Sequence, residues 1–466
     1  MEALTTCGLA SAAEVVEKLF APPDAGRMTL LKWIVNLTFL IHLPYMGLLV
    51  AGTILSLLLN VLHRDGGGKN HARLAKDVLD LVTVNRAVGL ILGVFPLFAL
   101  MTCYGQIVYT GHVLTYGVWL GVIGLVSLGL VFVHVYREQW ALRESRWFPH
   151  LLTGVSGVAL LAGAYLLVFS NVLLAGTPER WPLVNDVTDI LFTWNIVWRL
   201  GQWAALSWAF LGASILFFFF FWEERRKAMD DSYAAYVRKL GAGLALGFLF
   251  PAALLMVLEV YNTTSPYFQG GYAFGGPTAL MPAKGAFDAA LVALILCLGT
   301  GHLLWLMISR RNAQFGAHVF FLLLGVYAAW IVGNQLQLGE TLKEHEMALA
   351  AAAAEHEEKA REAAAPPPPS DPATRYKIGE KVFLQMCVSC HDPALKEKRI
   401  GPPLLPRLGR YKTEKNVGDL MKWIVEGGVA GAPDSAQYQP MTPQAVRPRD
   451  LPMVAEYLLK RLEEGK

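Results

Sequence analysis

The stretch WIVNLTFLIHLPYMGLLVAGTILSLLLNV, residues 33–61, holds no Asp, Glu, Lys or Arg. It exceeds the roughly 20 apolar residues that a helix needs to cross a hydrocarbon layer. With no water in lipid to satisfy the backbone, a single run of this kind is stable there only as a helix. Seven further runs of spanning length follow, at roughly 84–108, 114–136, 151–174, 202–222, 240–261, 286–308 and 318–338. The expectation is an all-α, eight-span membrane domain over residues 1–338. Composition agrees, since 54% hydrophobic and 17% charged residues lie outside the range of soluble domains. The surroundings are a lipid bilayer, and a net charge of +3 gives no reason to expect nucleic acid. Residues 184–200 carry Asn185, Asp186, Asp189 and Arg199 among apolar ones and read as an interfacial amphipathic helix.

Lys and Arg are retained on the cytoplasmic side of short loops. The loops around residues 63–77, 137–146, 225–239 and 310–311 carry four, three, five and two of them, against only Arg180, Arg199 and Lys284 in the opposite set. Fourteen against three places both termini outside. No cleavable leader is apparent, and the first span reads as a signal-anchor that is kept.

After the last span the composition changes. Residues 339–373 are rich in Ala, Glu and Lys and include the run Pro366 to Pro369, a helical and then stiff spacer. Beyond it, residues 374–466 contain Cys387-Val388-Ser389-Cys390-His391. The other three cysteines, Cys7, Cys103 and Cys297, are isolated. Two thiols separated by two residues and followed at once by histidine have the spacing that adds across both haem vinyl groups and presents an imidazole to the iron. A zinc site lacks a second cysteine pair, and a redox dithiol has no need of the adjacent histidine.

The segment around this motif resembles class I cytochromes c over about 90 residues. Tyr376 to Phe383, with Gly379, is similar to the family's first helix, where glycine permits close approach of the last. Gly401-Pro402-Pro403-Leu404 resembles the loop whose backbone orients the proximal histidine. Gln439-Pro440-Met441-Thr442-Pro443 resembles the loop of the distal methionine, and Asp450 to Leu462 resembles the last helix. The resemblance implies one covalent haem c with His391 and Met441 as axial ligands. It also implies a haem domain on the periplasmic side of a bacterial cytoplasmic membrane, in accord with the charge count.

Ionisable residues inside spans are functional candidates. His42 lies about nine residues into the first span and is the leading haem b candidate, with Met46, Met101 and Met256 as potential partners. His134 and His302 sit near the inner ends of the third and seventh spans, a level at which one haem could bridge them. His63, His71, His150 and His318 read as interfacial, and His112 sits at the start of the third span. Glu259 and the Gly- and aromatic-rich loop from Asn262 to Lys284 suggest either a covered quinone pocket or an aromatic belt.

The histidine patterns of bc-type cytochrome b and of haem-copper oxidases are absent. A single histidine in an outward-starting first span resembles subunit I of the cytochrome bd family, although the fifth span offers no counterpart to that family's second haem histidine. The leading expectation is a respiratory electron-transfer subunit, working with other membrane subunits and an external donor or acceptor, that links membrane quinol to haem c. The alternatives are a bd-like oxidase subunit and a cofactor-free anchor for a cytochrome c.

Overall fold

The computed structural model of the chain describes residues 21–64, 68–108, 113–178, 181, 191, 194–263, 284–309, 315–364, 369–409, 414–426 and 446–465. Every regular element among them is helical. Eight helices are long and apolar enough to cross a membrane: α1 (Ala25–Arg64), α3 (Arg86–Val108), α4 (Val113–Glu138), α5 (Trp147–Ala175), α6 (Trp194–Phe220), α7 (Asp231–Thr263), α8 (Lys284–Ser309) and α9 (Gly316–Thr341). The chain is a multi-pass membrane protein. One further helix, α2 (Lys69–Val82), lies between the first two spans.

Of the most apolar stretch in each span, 83% is buried in α6 but only 28% in α8, so α6 is an interior helix and α8 a rim helix. The helices α6 and α7 pack closely along their length, and small residues explain it. A Cβ on Gly212 would lie 2.4 Å from the Ala245 nitrogen and 2.5 Å from the Gly241 carbonyl oxygen. Such residues let two backbones approach where lipid supplies no hydrophobic drive for helices to associate. On the other side α1 packs against α2, α3 and α5, while α4 pairs with α5 and α8 with α9.

Two details differ from the sequence reading. The 63–77 loop leads into α2, whose Leu74, Ala75, Val78 and Leu79 are fully buried while its cations reach outward. Arg73 binds Asp230 at 2.9 Å and lies over the Tyr233 ring, the Tyr233 hydroxyl donates to Asp77 at 2.5 Å, and Asp80 accepts from Arg137 at 2.8 Å. These contacts tie this end of α2 to α4 and α7. The described part of the supposed interfacial helix, from Trp194 onward, is the first turns of α6, and Arg199 is buried. A charge in a span must face the bundle interior, and here it does.

The chain divides into two compact units after Ala354, within α10 (Lys343–Ala364). The second unit contains α11 (Pro372–Met386), α12 (Glu414–Glu426) and α13 (Leu451–Glu464). In α11 the Asp371 carboxylate accepts from the Thr374 backbone N–H at 2.8 Å and caps the helix, with Pro372 at its first position, as expected where the first N–H has no acceptor. A Cβ on Gly379 would lie 2.1 Å from the Met453 carbonyl oxygen and 2.8 Å from the Tyr457 side chain. Only glycine permits this crossing of α11 and α13, which is sealed by Phe383 against Tyr457 and by the Arg375–Glu456 ion pair.

Candidate haem site

The site begins where α11 ends. Cys387 caps the helix by donating its N–H to the Phe383 carbonyl at 2.8 Å. The chain then turns tightly, with the N–H groups of Cys390 and His391 both bonded to the Cys387 carbonyl at 3.1 and 2.9 Å. That turn places both thiols and the imidazole on one cleft of about 450 Å³, open on one side and walled by Phe383, Leu404, Ile424, Val454 and Leu458. Burial pushes the Cys387 thiol up to about 11, which disfavours its thiolate. Zinc would instead require the thiolate.

His391 is buried, with 6% of its surface exposed, and burial lowers its pKa from the ordinary histidine value. Its Nδ1 lies 3.2 Å from the Pro402 carbonyl oxygen. Because a carbonyl only accepts, Nδ1 carries the proton and Nε2 keeps the lone pair, the arrangement in which a backbone carbonyl fixes the ligating tautomer. A Cβ at Gly401 would sit 2.6 Å from the His391 Cε1, so glycine is required for this loop to reach the ring. Gly401 also donates to the Cys390 carbonyl at 2.7 Å. The loop between His391 and Gly401 is folded back by Asp392, whose carboxylate accepts from the Lys396 and Glu397 N–H groups at 3.0 and 3.1 Å. These bonds hold the carboxyl below the usual carboxylate range. Leu395 adopts a left-handed conformation, φ 63°, with its side chain fully buried and its carbonyl accepting from Leu404 and Leu405. A strained backbone persists only where its surroundings over-determine it, and here it locks the loop under the imidazole.

An apolar cleft, two thiols three residues apart and an imidazole of fixed tautomer form the donor set that haem c requires, and the residues fit it. Among the described residues no group of three His, Cys, Asp or Glu is arranged to hold a metal ion by itself. Met441 lies outside the described residues.

Residues 376–461 match the family model for cytochrome c, which makes this segment a class I cytochrome c domain and the chain a membrane protein that carries electrons by haem c. A search of curated proteins found no match. The family match does not extend into the spans, so the bd resemblance gains no support.

The membrane histidines are arranged differently. His42 is fully buried on α1, and both ring nitrogens are engaged. Nδ1 donates to the Leu92 carbonyl at 2.8 Å, and Nε2 accepts from the Tyr165 hydroxyl at 2.7 Å. Leu92 lies in a π-helical turn, Leu90–Val94, inside α3, a distortion that re-aims backbone carbonyls. Tyr165 in turn stacks on Trp203, with ring centroids 4.3 Å apart. As arranged, this site does not fit an axial haem ligand, because a hydroxyl occupies the lone pair. His134 is buried on α4, which packs on α2, α3 and α5, whereas His302 is exposed on the outer face of α8, which packs on α7 and α9. The structure does not bring the two together, and the bridging haem has no geometric basis. Of the methionines, Met46 and Met256 are buried packing residues. His150 is buried on α5 and stacked on Tyr136, with centroids 4.4 Å apart. His112, the side chain of Glu259 and the loop over residues 264–283 lie outside the described residues.

Proposed function

We propose that the chain is a membrane-bound electron-transfer subunit of a respiratory complex, moving electrons between membrane quinol and an external acceptor through one covalently bound haem c. The observation that carries this reading is the convergence of Cys387, Cys390 and His391 on one apolar cleft. Once bound, the haem would supply one-electron exchange at iron, and a methionine thioether among the residues holding it would raise the potential. The residues do the rest. Cys387 and Cys390 hold the ring by two thioether bonds. The Nδ1–H of His391, held by Pro402, leaves Nε2 for the iron, and Phe383, Leu404 and Val454 exclude water from it. Met441 would be the second residue to hold the iron, on the strength of its sequence context. The haem domain is periplasmic, on the side opposite the loops rich in Lys and Arg.

Replacing Cys387 and Cys390 together with Ala abolishes haem that survives acid-acetone extraction, and retention of it would refute the assignment. For sidedness, a cysteine placed at Ser370 reacts with a membrane-impermeant maleimide in spheroplasts while one at Gly67 does not, and the opposite pattern would reverse the topology. A second reading, a membrane anchor whose spans hold no haem, is favoured by the doubly hydrogen-bonded state of His42. It differs from the first in predicting no exchange with quinol.

A further inference from the structure

None of the histidines singled out above lines the two clefts that the membrane unit forms between α5, α6 and α9. Two adjoining clefts, about 500 and 310 Å³, share Val172 of α5, Arg199 of α6, and Asn334 and Gln335 of α9. One side is polar, with the hydroxyls of Thr177 and Thr341. The other is apolar and aromatic, with Phe39, Phe169 and Trp330. The Phe169 and Trp330 rings are 6.4 Å apart at 51°. Two buried amides sit within a turn of the lining. The side-chain oxygen of Asn171, beside Val172, and both ends of Gln202, one turn from Arg199, have no hydrogen-bond partner among the described residues. Buried polar groups without partners cost about 1–3 kcal/mol each, which marks this level of the bundle as one prepared for polar atoms.

We infer that this cleft binds the ring of a quinone or quinol. A guanidinium and two carboxamides converge there beside a pair of aromatic faces, which matches a flat neutral ring with oxygen atoms at two edges. A phosphate headgroup fits less well, since Arg199 is the one cation among the described lining residues and phosphate sites gather several. The polar side accepts the ring oxygens, and the apolar side accepts the ring carbons. The inference rests on the proposed quinol linkage and gives it a location. None of its described lining residues belongs to the segment around Glu259 singled out from the sequence.

The test uses the purified full chain in nanodiscs, titrated with a decyl-substituted benzoquinone and a naphthoquinone by equilibrium dialysis. One saturable site per chain is expected. Gln335→Leu removes a hydrogen-bonding group, and Val172→Trp fills the shared wall while removing none. Each weakens binding at least tenfold without altering covalent haem content or the melting of the membrane unit. If Gln335→Leu fails to fold, Val172→Trp decides. Wild-type affinity in Val172→Trp overturns the inference, as does displacement of the quinone by an equimolar anionic phospholipid. Tight binding without reduction of haem c by the matching quinol would refute the proposed function and leave the site standing. Reduction at the wild-type rate in a correctly folded Val172→Trp would do the reverse.

Discussion

His391 and His42 begin from the same device and end in different chemistry. Each is buried, and each donates Nδ1–H to a backbone carbonyl, Pro402 at 3.2 Å and Leu92 at 2.8 Å, so each keeps a lone pair on Nε2. For His391 the ring borders an apolar cleft shared with two thiols. For His42 the lone pair is taken by Tyr165, itself stacked on Trp203. A fixed tautomer therefore does not by itself make a ligand. Space beside the nitrogen, and groups to hold what fills it, decide the outcome.

The comparison breaks most readily in the haem unit. Gly379→Leu forces a side chain into the Met453 carbonyl, where a Cβ alone would sit at 2.1 Å. Overpacking against backbone costs about 3 kcal/mol. For a domain of this size that is about 12 °C or more in the midpoint followed by the Soret band, and an unchanged midpoint would mean the helices do not cross as described.

Tyr165→Phe sharpens the other half of the comparison. It leaves the His42 Nε2 without a donor in the bundle interior, which costs about 1–3 kcal/mol, read as a lower melting point of the membrane unit. The visible spectrum stays the same. A b-type band altered by this change would show that the pair is part of a haem site after all.

The smallest effect is electrostatic. The Asp392 carboxyl is held below its ordinary value by the N–H groups of Glu397 and Lys396. A depressed folded-state pKa contributes stability that is present above the unfolded value of about 3.9 and is lost as pH falls through the folded value. Melting of the haem unit from pH 6 down to pH 3 is thus less steep in Asp392→Asn than in the wild type. Identical slopes would remove Asp392 from the loop's support.

Much of this was legible in the sequence because lipid and haem impose local patterns. Eight strongly apolar runs of about 20 residues, five of them without Asp, Glu, Lys or Arg, read as spans, and CVSCH at 387–391 is complete within five residues. Gly379 and Pro402 were legible through the family they resemble, and both sit where that resemblance implied. What failed depends on distance along the chain. The partner of His42 is Tyr165, 123 residues away, and no spacing rule links them. His134 and His302 share a depth but not a neighbour, since depth is a one-dimensional reading and packing is not. The helix α2 did leave a signal, with Leu74, Ala75, Val78 and Leu79 at helical spacing, but counting its cations as loop charges concealed it. Arg199, a charged residue near a span end, reads as interfacial from sequence, whereas the packing of α6 buries it beside a cleft it shares with Asn334 and Gln335.

The most direct measurement is the pyridine haemochrome spectrum of the purified full chain before and after acid-acetone extraction. The difference between His391 and His42 predicts one haem c per chain, all of it left with the protein, and no haem b in the extract. Haem recovered in the extract, with a b-type band that His42→Ala removes, would contradict it.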